Sequence, residues 1–306
     1  MLYKSAQRRY LSFCELASIT QPYPLREETL CRYVSFLADQ SLKHRTTKSY
    51  LSGIRFAQIH QGLKDPFAEK TMPLLEYTLL GVKRAQAKQL PAPKPRLPIT
   101  PVILAHLQAK WTQPATAEGL MLWAAACTGF FGFLRTAEFT VPSPRDYDKS
   151  VHLNLEDVAL DDRSAPKLVQ LNIKQSKTDP FRMGAKVYLG KTGLPICPVR
   201  AMTAYLATRS PQPGPLFIFP SGEPLTRTLL VRHLHQALQQ AGFNASSYNG
   251  HSFRIGAATT AAKCGVEDSL IRTLGRWKSS AYLTYIKIPR HQLAAISPAL
   301  LKECQP

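Results

Sequence analysis

His251-Ser252-Phe253-Arg254, then Leu274-Gly275-Arg276-Trp277-Lys278-Ser279, then Tyr285: this stretch decides how the rest of the 306-residue chain is read. A histidine and an arginine three positions apart share one face of a helix. The tyrosine follows just past a Gly-Arg-Trp turn. Cations, an indole donor and a phenol are the parts needed to attack a phosphodiester and to hold the charge that develops. Each part alone has an ordinary reading, since His-x-x-Arg is common on helices and a single tyrosine usually packs.

Two upstream segments sharpen the choice. Leu134-Arg135-Thr136-Ala137-Glu138-Phe139 follows an apolar helix and a Gly-Phe-Phe-Gly-Phe run. An arginine beside so apolar a segment needs an anion or an acid, and Glu138 is one turn away. Lys174-Gln175-Ser176-Lys177-Thr178-Asp179 lies in the turn after a strand and offers two lysines, Lys174 and Lys177.

Composition agrees with a polyanionic partner. The chain carries 39 Lys+Arg against 20 Asp+Glu, a net charge of +19, and both halves share the excess. With 44% hydrophobic residues it is globular, and a globular protein this basic points to nucleic acid. Its six cysteines are scattered, with no Cys-x-x-Cys and no zinc-type spacing. A reduced compartment follows, and Cys127 and Cys264 read as core packing. Neither a membrane span nor the apolar core of a signal peptide is visible.

The organisation is a helical part, a linker and a mixed part. Residues 1–90 carry apolar residues at helical spacing over 3–19, 27–41, 46–61 and 71–88, a small bundle. Lys43, His44, Arg45 and Lys48 cluster at the start of its third helix, where basic groups suit phosphate. Residues 91–100 are a proline-rich linker in which Lys94 and Arg96 form an extended basic strap or a plain spacer. Thr100-Pro101 reads as an N-cap followed by proline at the first helical position. Residues 101–306 mix helices (101–111, 116–131, 198–208, 225–241, 252–264, 267–274, 279–286) with strands over 152–160, 168–173 and 186–189. The expected fold is mainly α: an N-terminal helical bundle, then an α+β domain holding a small three-stranded antiparallel sheet.

These residues, in this order, resemble the tyrosine recombinase (phage integrase) family. Leu134-Arg135-x-x-Glu138 matches the family's first arginine and its supporting acid. Lys177 matches the catalytic lysine between the second and third strands, and His251-x-x-Arg254 the histidine–arginine pair. Gly275, ten positions before Tyr285, matches the spacing to the nucleophile. The resemblance covers the whole chain, with residues 1–90 as a SAM-like core-binding domain. Ser176–Arg182, Cys197-Pro198-Val199-Arg200-Ala201 and Leu274–Trp277 also look like recombinases of eukaryotic mobile elements of the DIRS or Crypton kind. The chain departs from the family after Leu274-Gly275. There Arg276 stands in the usual place of histidine or tryptophan, and Trp277 comes one later. Trp277 is taken for the role and Arg276 as the supporting or alternative donor.

The resemblance implies a mechanism. Tyr285 attacks a DNA phosphodiester, giving a 3′-phosphotyrosyl link and a free 5′-hydroxyl. Arg135 and Arg254 clamp the non-bridging oxygens. Lys177 protonates the leaving oxygen, His251 assists proton transfer, and Glu138 orients Arg135. No metal, ATP or other cofactor is expected. Tyr282 and Lys174 are the competing tyrosine and lysine.

Double-stranded DNA and a homotetramer on paired sites are the expected partners. The segment from Ile288 to Leu301 either docks on a neighbouring subunit or packs on its own domain. Localisation is expected to be nuclear in a eukaryote, otherwise cytoplasmic with the nucleoid. Two other readings stay open: a DNA-binding remnant that no longer cuts, and a type IB topoisomerase-like nicking and resealing activity.

Overall fold

Helical spacing of apolar residues builds the first unit from α1 (Leu2–Leu16), α2 (Glu27–Asp39), α3 (His44–His60) and α4 (Pro73–Gln89). Tyr10, Phe13, Leu30, Tyr33, Val34, Leu37 and Ile54 form its core. The buried phenol of Tyr10 donates to the Pro22 carbonyl at 2.8 Å, which meets its polar need. The coordinates are a computed structural model describing residues 2–68, 72–89, 95–176, 179 and 181–287. The chain divides into two compact units at residues 93/94.

The second unit grows around a helix that is apolar on nearly every side. Here α5 (Pro101–Thr112) starts where the Thr100 hydroxyl accepts from the Ile103 amide at 3.3 Å. Likewise α6 (Ala117–Phe131) starts at the Thr116 hydroxyl, which accepts from the Gly119 amide at 3.0 Å. Residues from Met121 through Phe130 of α6 are buried against α5, α7 (Pro198–Thr208) and α9 (His251–Lys263). A helix apolar all round has to be a core helix.

On one side lies a sheet of order β1-β2-β3, antiparallel throughout, from β1 (Val158–Leu160), β2 (Leu168–Ile173) and β3 (Ala185–Gly190). Val169 pairs with Leu189 and Leu171 with Val187, and all four face the core. Asn172, Lys186 and Tyr188 point outward, as the period of two requires. The remaining helices are α8 (Arg227–Gln240) and α10 (Asp268–Gly275). Among the described residues, no helix is long and apolar enough to cross a membrane.

Several expectations need correction. Of residues 152–160 only the last three are strand. Asn154 and Asp157 close a 3-10 turn before them, the Asn154 amide donating to the Asp157 carboxylate at 2.8 Å. Residues 279–286 are not an α-helix but a 3-10 turn, Ser280–Thr284, because the Ser279 hydroxyl caps the Ala281 amide locally. Cys127 is buried, but Cys264 is exposed at the end of α9, where Gly265 turns the chain at φ +74.

The second half of the 91–100 segment is not a loose strap. The Leu97 amide donates to Ser247 O and the Ile99 amide to Ser252 O, both at 2.9 Å, and Ile99 is buried. Arg96 donates to Ser246 O at 2.5 Å. Lys94 and the Ile288–Leu301 segment lie outside the described residues.

Candidate active site

Arg135 opens the 3-10 turn Thr136–Glu138 directly after the apolar run that ends α6. The Glu138 carboxylate accepts from the Arg135 amide and from its guanidinium, both at 2.9 Å. Its Oε2 also accepts from Arg276 at 2.8 Å. One buried carboxylate therefore holds two arginines, and the acid partner that the sequence demanded for Arg135 is Glu138.

Arg254 comes from the first turn of α9. That helix starts where the Asn249 side chain accepts from the His251 amide at 2.9 Å. At Gly250 a Cβ would lie 1.9 Å from Thr136 Oγ1, so only glycine lets the start of α9 press against the Arg135 turn. The result is a third guanidinium beside the other two. Arg254 is fully buried, donating to Phe133 O at 2.5 Å and also to Gly275 O. Burial, then the neighbouring charge of Arg135, draws its pKa down to about 10, with Glu138 opposing. Burial also pushes Arg276 down, again against Glu138. Among the described residues, Glu138 is the single carboxylate that ion-pairs with Arg135 and Arg276.

Trp277 lies over Arg254, the guanidinium carbon 4.2 Å from the ring centroid. At Gly275 a Cβ would fall 1.6 Å from Trp277 Cζ3, so the glycine exists to admit the indole. Arg276 between them takes the left-handed conformation, φ 54, as the residue ending α10. That backbone turn sends Arg276 to Glu138 and Trp277 onto Arg254, giving the two residues separate jobs. The indole nitrogen and the Nε atoms of Arg254 and Arg276 are buried without a partner among the described residues.

Tyr285 completes the cluster. Its ring centroid is 5.2 Å from that of Trp277 and 5.7 Å from the Arg254 guanidinium carbon. The Thr259 hydroxyl donates to its carbonyl at 3.1 Å, which ties the segment to α9. Tyr282 is used differently: it is buried and its phenol donates to Asp268 at 2.8 Å. That bond raises its pKa, so Tyr282 keeps its proton.

The lysines also separate. Lys174 is paired with Asp157 at 2.8 Å and donates to Lys149 O at 2.9 Å, which fastens the end of β2 to the turn before β1. Lys177 lies outside the described residues. His251 is half-buried one turn before Arg254 on α9. In the first unit Lys43, Arg45 and Lys48 are exposed at the start of α3. Lys48 and Lys83 both help to lower the His44 pKa, after burial. Lys83, on α4, therefore belongs to that basic cluster too. Among the described residues no group of His, Cys, Asp or Glu could hold a metal ion.

Sequence reasoning missed three participants. The carbonyls of Phe133 and Gly275 are backbone groups and leave no side-chain signal. Asp157 was hidden in a segment read as strand, although Asn-x-x-Asp is a local turn signature.

No family model matches the chain. A protein described as an integrase/recombinase XerD homolog, from Selenomonas ruminantium, is 24% identical over 282 residues, 88% of this chain and 75% of its own length. The XerH site-specific recombinase bound to palindromic difH substrate, in a post-cleavage complex, superposes with a TM-score of 0.65. It is 15% identical, with 97% of this chain and 77% of that chain covered. The Tn1549 transposon integrase in complex with transposon right end DNA gives a TM-score of 0.59 at 13% identity, covering 97% of this chain and 93% of that one. Such structural likeness is a likeness of fold. The chain is therefore similar in sequence to a recombinase homologue over most of its length, and it shares the fold of the XerH recombinase and the Tn1549 integrase over nearly all of it.

Proposed function

We propose that this chain is an active site-specific DNA recombinase that breaks and rejoins duplex DNA through Tyr285. The observation that carries the reading is the cluster itself. Arg135, Arg254 and Arg276 share one carboxylate, Glu138, beside a tyrosine ring. One buried and two half-buried arginines around one carboxylate leave positive charge that a further anion can balance. A phosphodiester in front of Tyr285 meets that need.

In the proposed reaction the Tyr285 phenol oxygen attacks phosphorus while its proton passes to a neighbouring base, the role assigned to His251. The bond to the 5′-oxygen breaks, and Lys177 gives that oxygen its proton. The product is a 3′-phosphotyrosyl link that conserves the bond energy for rejoining. Arg135 and Arg254 neutralise the non-bridging oxygens. Preorganised charge of this kind is the largest contribution in many enzymes. The exposed Lys43, Arg45 and Lys48 serve the backbone of duplex DNA, and paired sites call for a homotetramer. In a eukaryotic host the work falls in the nucleus.

A second reading is a DNA-binding remnant that does not cut. One observation favours it: Arg254 has no exposed surface and spends both terminal nitrogens on backbone carbonyls. Trapping separates the two. Duplexes selected by the protein from a random pool are nicked beside each position in turn and incubated with it. A covalent adduct absent in Tyr285→Phe supports the recombinase. Tight binding without any adduct supports the remnant, and an adduct persisting in Tyr285→Phe overturns the nucleophile.

A further inference from the structure

The turn between β2 and β3 ends in Phe181-Arg182-Met183-Gly184. Phe181 is 82% exposed and Met183 84%. Large apolar side chains this bare on a folded surface mark a contact site. The segment is built to display them. The Asp179 carboxylate accepts from the Gly184 amide at 2.8 Å, closing the turn from inside. Arg182 sits at φ 53 and Gly184 at φ 71, so the chain twists twice within three residues. Phe181 and Met183 thus stand exposed on either side of an exposed arginine, and Lys186, three residues beyond Met183 on β3, is exposed as well.

We infer that Phe181 and Met183 form an apolar wedge that enters a base step of the DNA near the cleaved phosphate. The inference rests on the recombinase reading, which sets Lys177 at the leaving oxygen. Phe181 is four residues further on, and four residues span at most about 14 Å. Wherever Lys177 meets the backbone, Phe181 is therefore within a few base pairs of it. The neighbouring charges choose DNA over a second protein surface. Arg182 stands between the apolar pair and Lys186 follows on β3, both exposed, and cations around an inserted apolar side chain are the pattern used to hold the flanking phosphates while the step is unstacked. Kinking a step beside the scissile bond gives the enzyme a preference for easily unstacked sequence without any base-edge contact.

The test uses the full chain and two duplexes of one arbitrary 40-bp sequence, one fully paired and one with a central two-base mismatch. Unstacking is already done in the mismatched duplex, so a wedge binds it at least about tenfold more tightly. Competition binding by fluorescence anisotropy reads the ratio. We expect that preference in the native protein and in Tyr285→Phe, and its loss in F181A/M183A with binding to the paired duplex kept within about threefold. Both side chains are exposed, so the variant keeps its fold, and an unchanged Tm checks this. A native protein that binds both duplexes equally, or a variant that keeps the preference, overturns the wedge while leaving the recombinase reading intact. Loss of self-association in the variant with the preference retained assigns the pair to a protein interface instead. Failure to bind either duplex at low salt overturns the DNA reading and the wedge with it.

Discussion

Trp277 covers Arg254 face-on, with the guanidinium carbon 4.2 Å from the ring centroid, while its own indole nitrogen is buried without a partner. The ring and the N–H can therefore be separated by substitution. Trp277→Ala removes the cover and leaves a cavity, and should cost about 3–5 kcal/mol in chemical denaturation. Trp277→Phe keeps an aromatic face and loses a donor that is idle in the free protein. It should cost less, about 1–2 kcal/mol. If the indole N–H donates to phosphate only in the complex, Trp277→Phe slows cleavage far more than its stability loss accounts for. Cleavage at the native rate would remove Trp277 from the phosphate contacts.

Glu138 is the counter-ion for two arginines and lies close to the third. Glu138→Gln keeps the shape and leaves buried Arg254 and the half-buried Arg135 and Arg276 without a counter-ion. The expected destabilisation is about 3–5 kcal/mol, read as a drop in Tm. Because the deficit is one of negative charge, sulfate or phosphate should raise the Tm of the variant more than that of the native protein. Equal responses would mean the cluster does not receive anions.

Lys174 and Lys177 should fail in different ways. Lys174 is held by Asp157, both largely buried. Lys174→Met leaves that carboxylate alone and should lower stability by about 1–3 kcal/mol with little effect on the cleavage step. Lys177→Ala should leave Tm unchanged and slow cleavage by about 10²–10⁴-fold. A substrate with sulfur in place of the leaving 5′-oxygen needs no proton, so it should be cut by Lys177→Ala at close to the native rate. A rate that stays low on the sulfur substrate argues against Lys177 as the acid.

The exposed cations of α3 make a simpler prediction. Replacing Lys43, Arg45 and Lys48 with alanine should weaken binding to all duplexes alike. It should also flatten the dependence of log K on log salt by about 0.9 for each phosphate that the protein no longer neutralises. An unaltered slope would place the DNA elsewhere on the first unit.

What the sequence shows and hides follows from the kind of signal each part carries. The capped starts of α5 and α6 at Thr100 and Thr116, and the all-apolar face of α6, are local or compositional, so they are legible. So is β2, whose apolar run matches its buried face. Arg135 and Glu138 are legible as a pair because their spacing brings them together within one turn. Arg254 is not. Its partners Phe133 and Gly275 are backbone oxygens distant in sequence, and nothing in a residue's type announces an acceptor carbonyl. Where Arg276 and Trp277 point follows from one left-handed residue, which no periodicity reports. The last turn misleads because Ser279 caps locally and shortens what reads as a helix.

The two carbonyls that hold Arg254 bear on timing. One belongs to the segment carrying Arg135 and the other to the segment leading to Tyr285, so the guanidinium clasps the two halves of the pocket before any DNA arrives. Neutral oxygens are weak rivals for such a group. If the chain works as proposed, a phosphodiester with one negative charge would displace them at modest gain, whereas the phosphorane formed on attack would carry more charge and displace them at greater gain. On the proposed reaction, an arginine occupied in this way would discriminate between substrate and transition state by the company it already keeps.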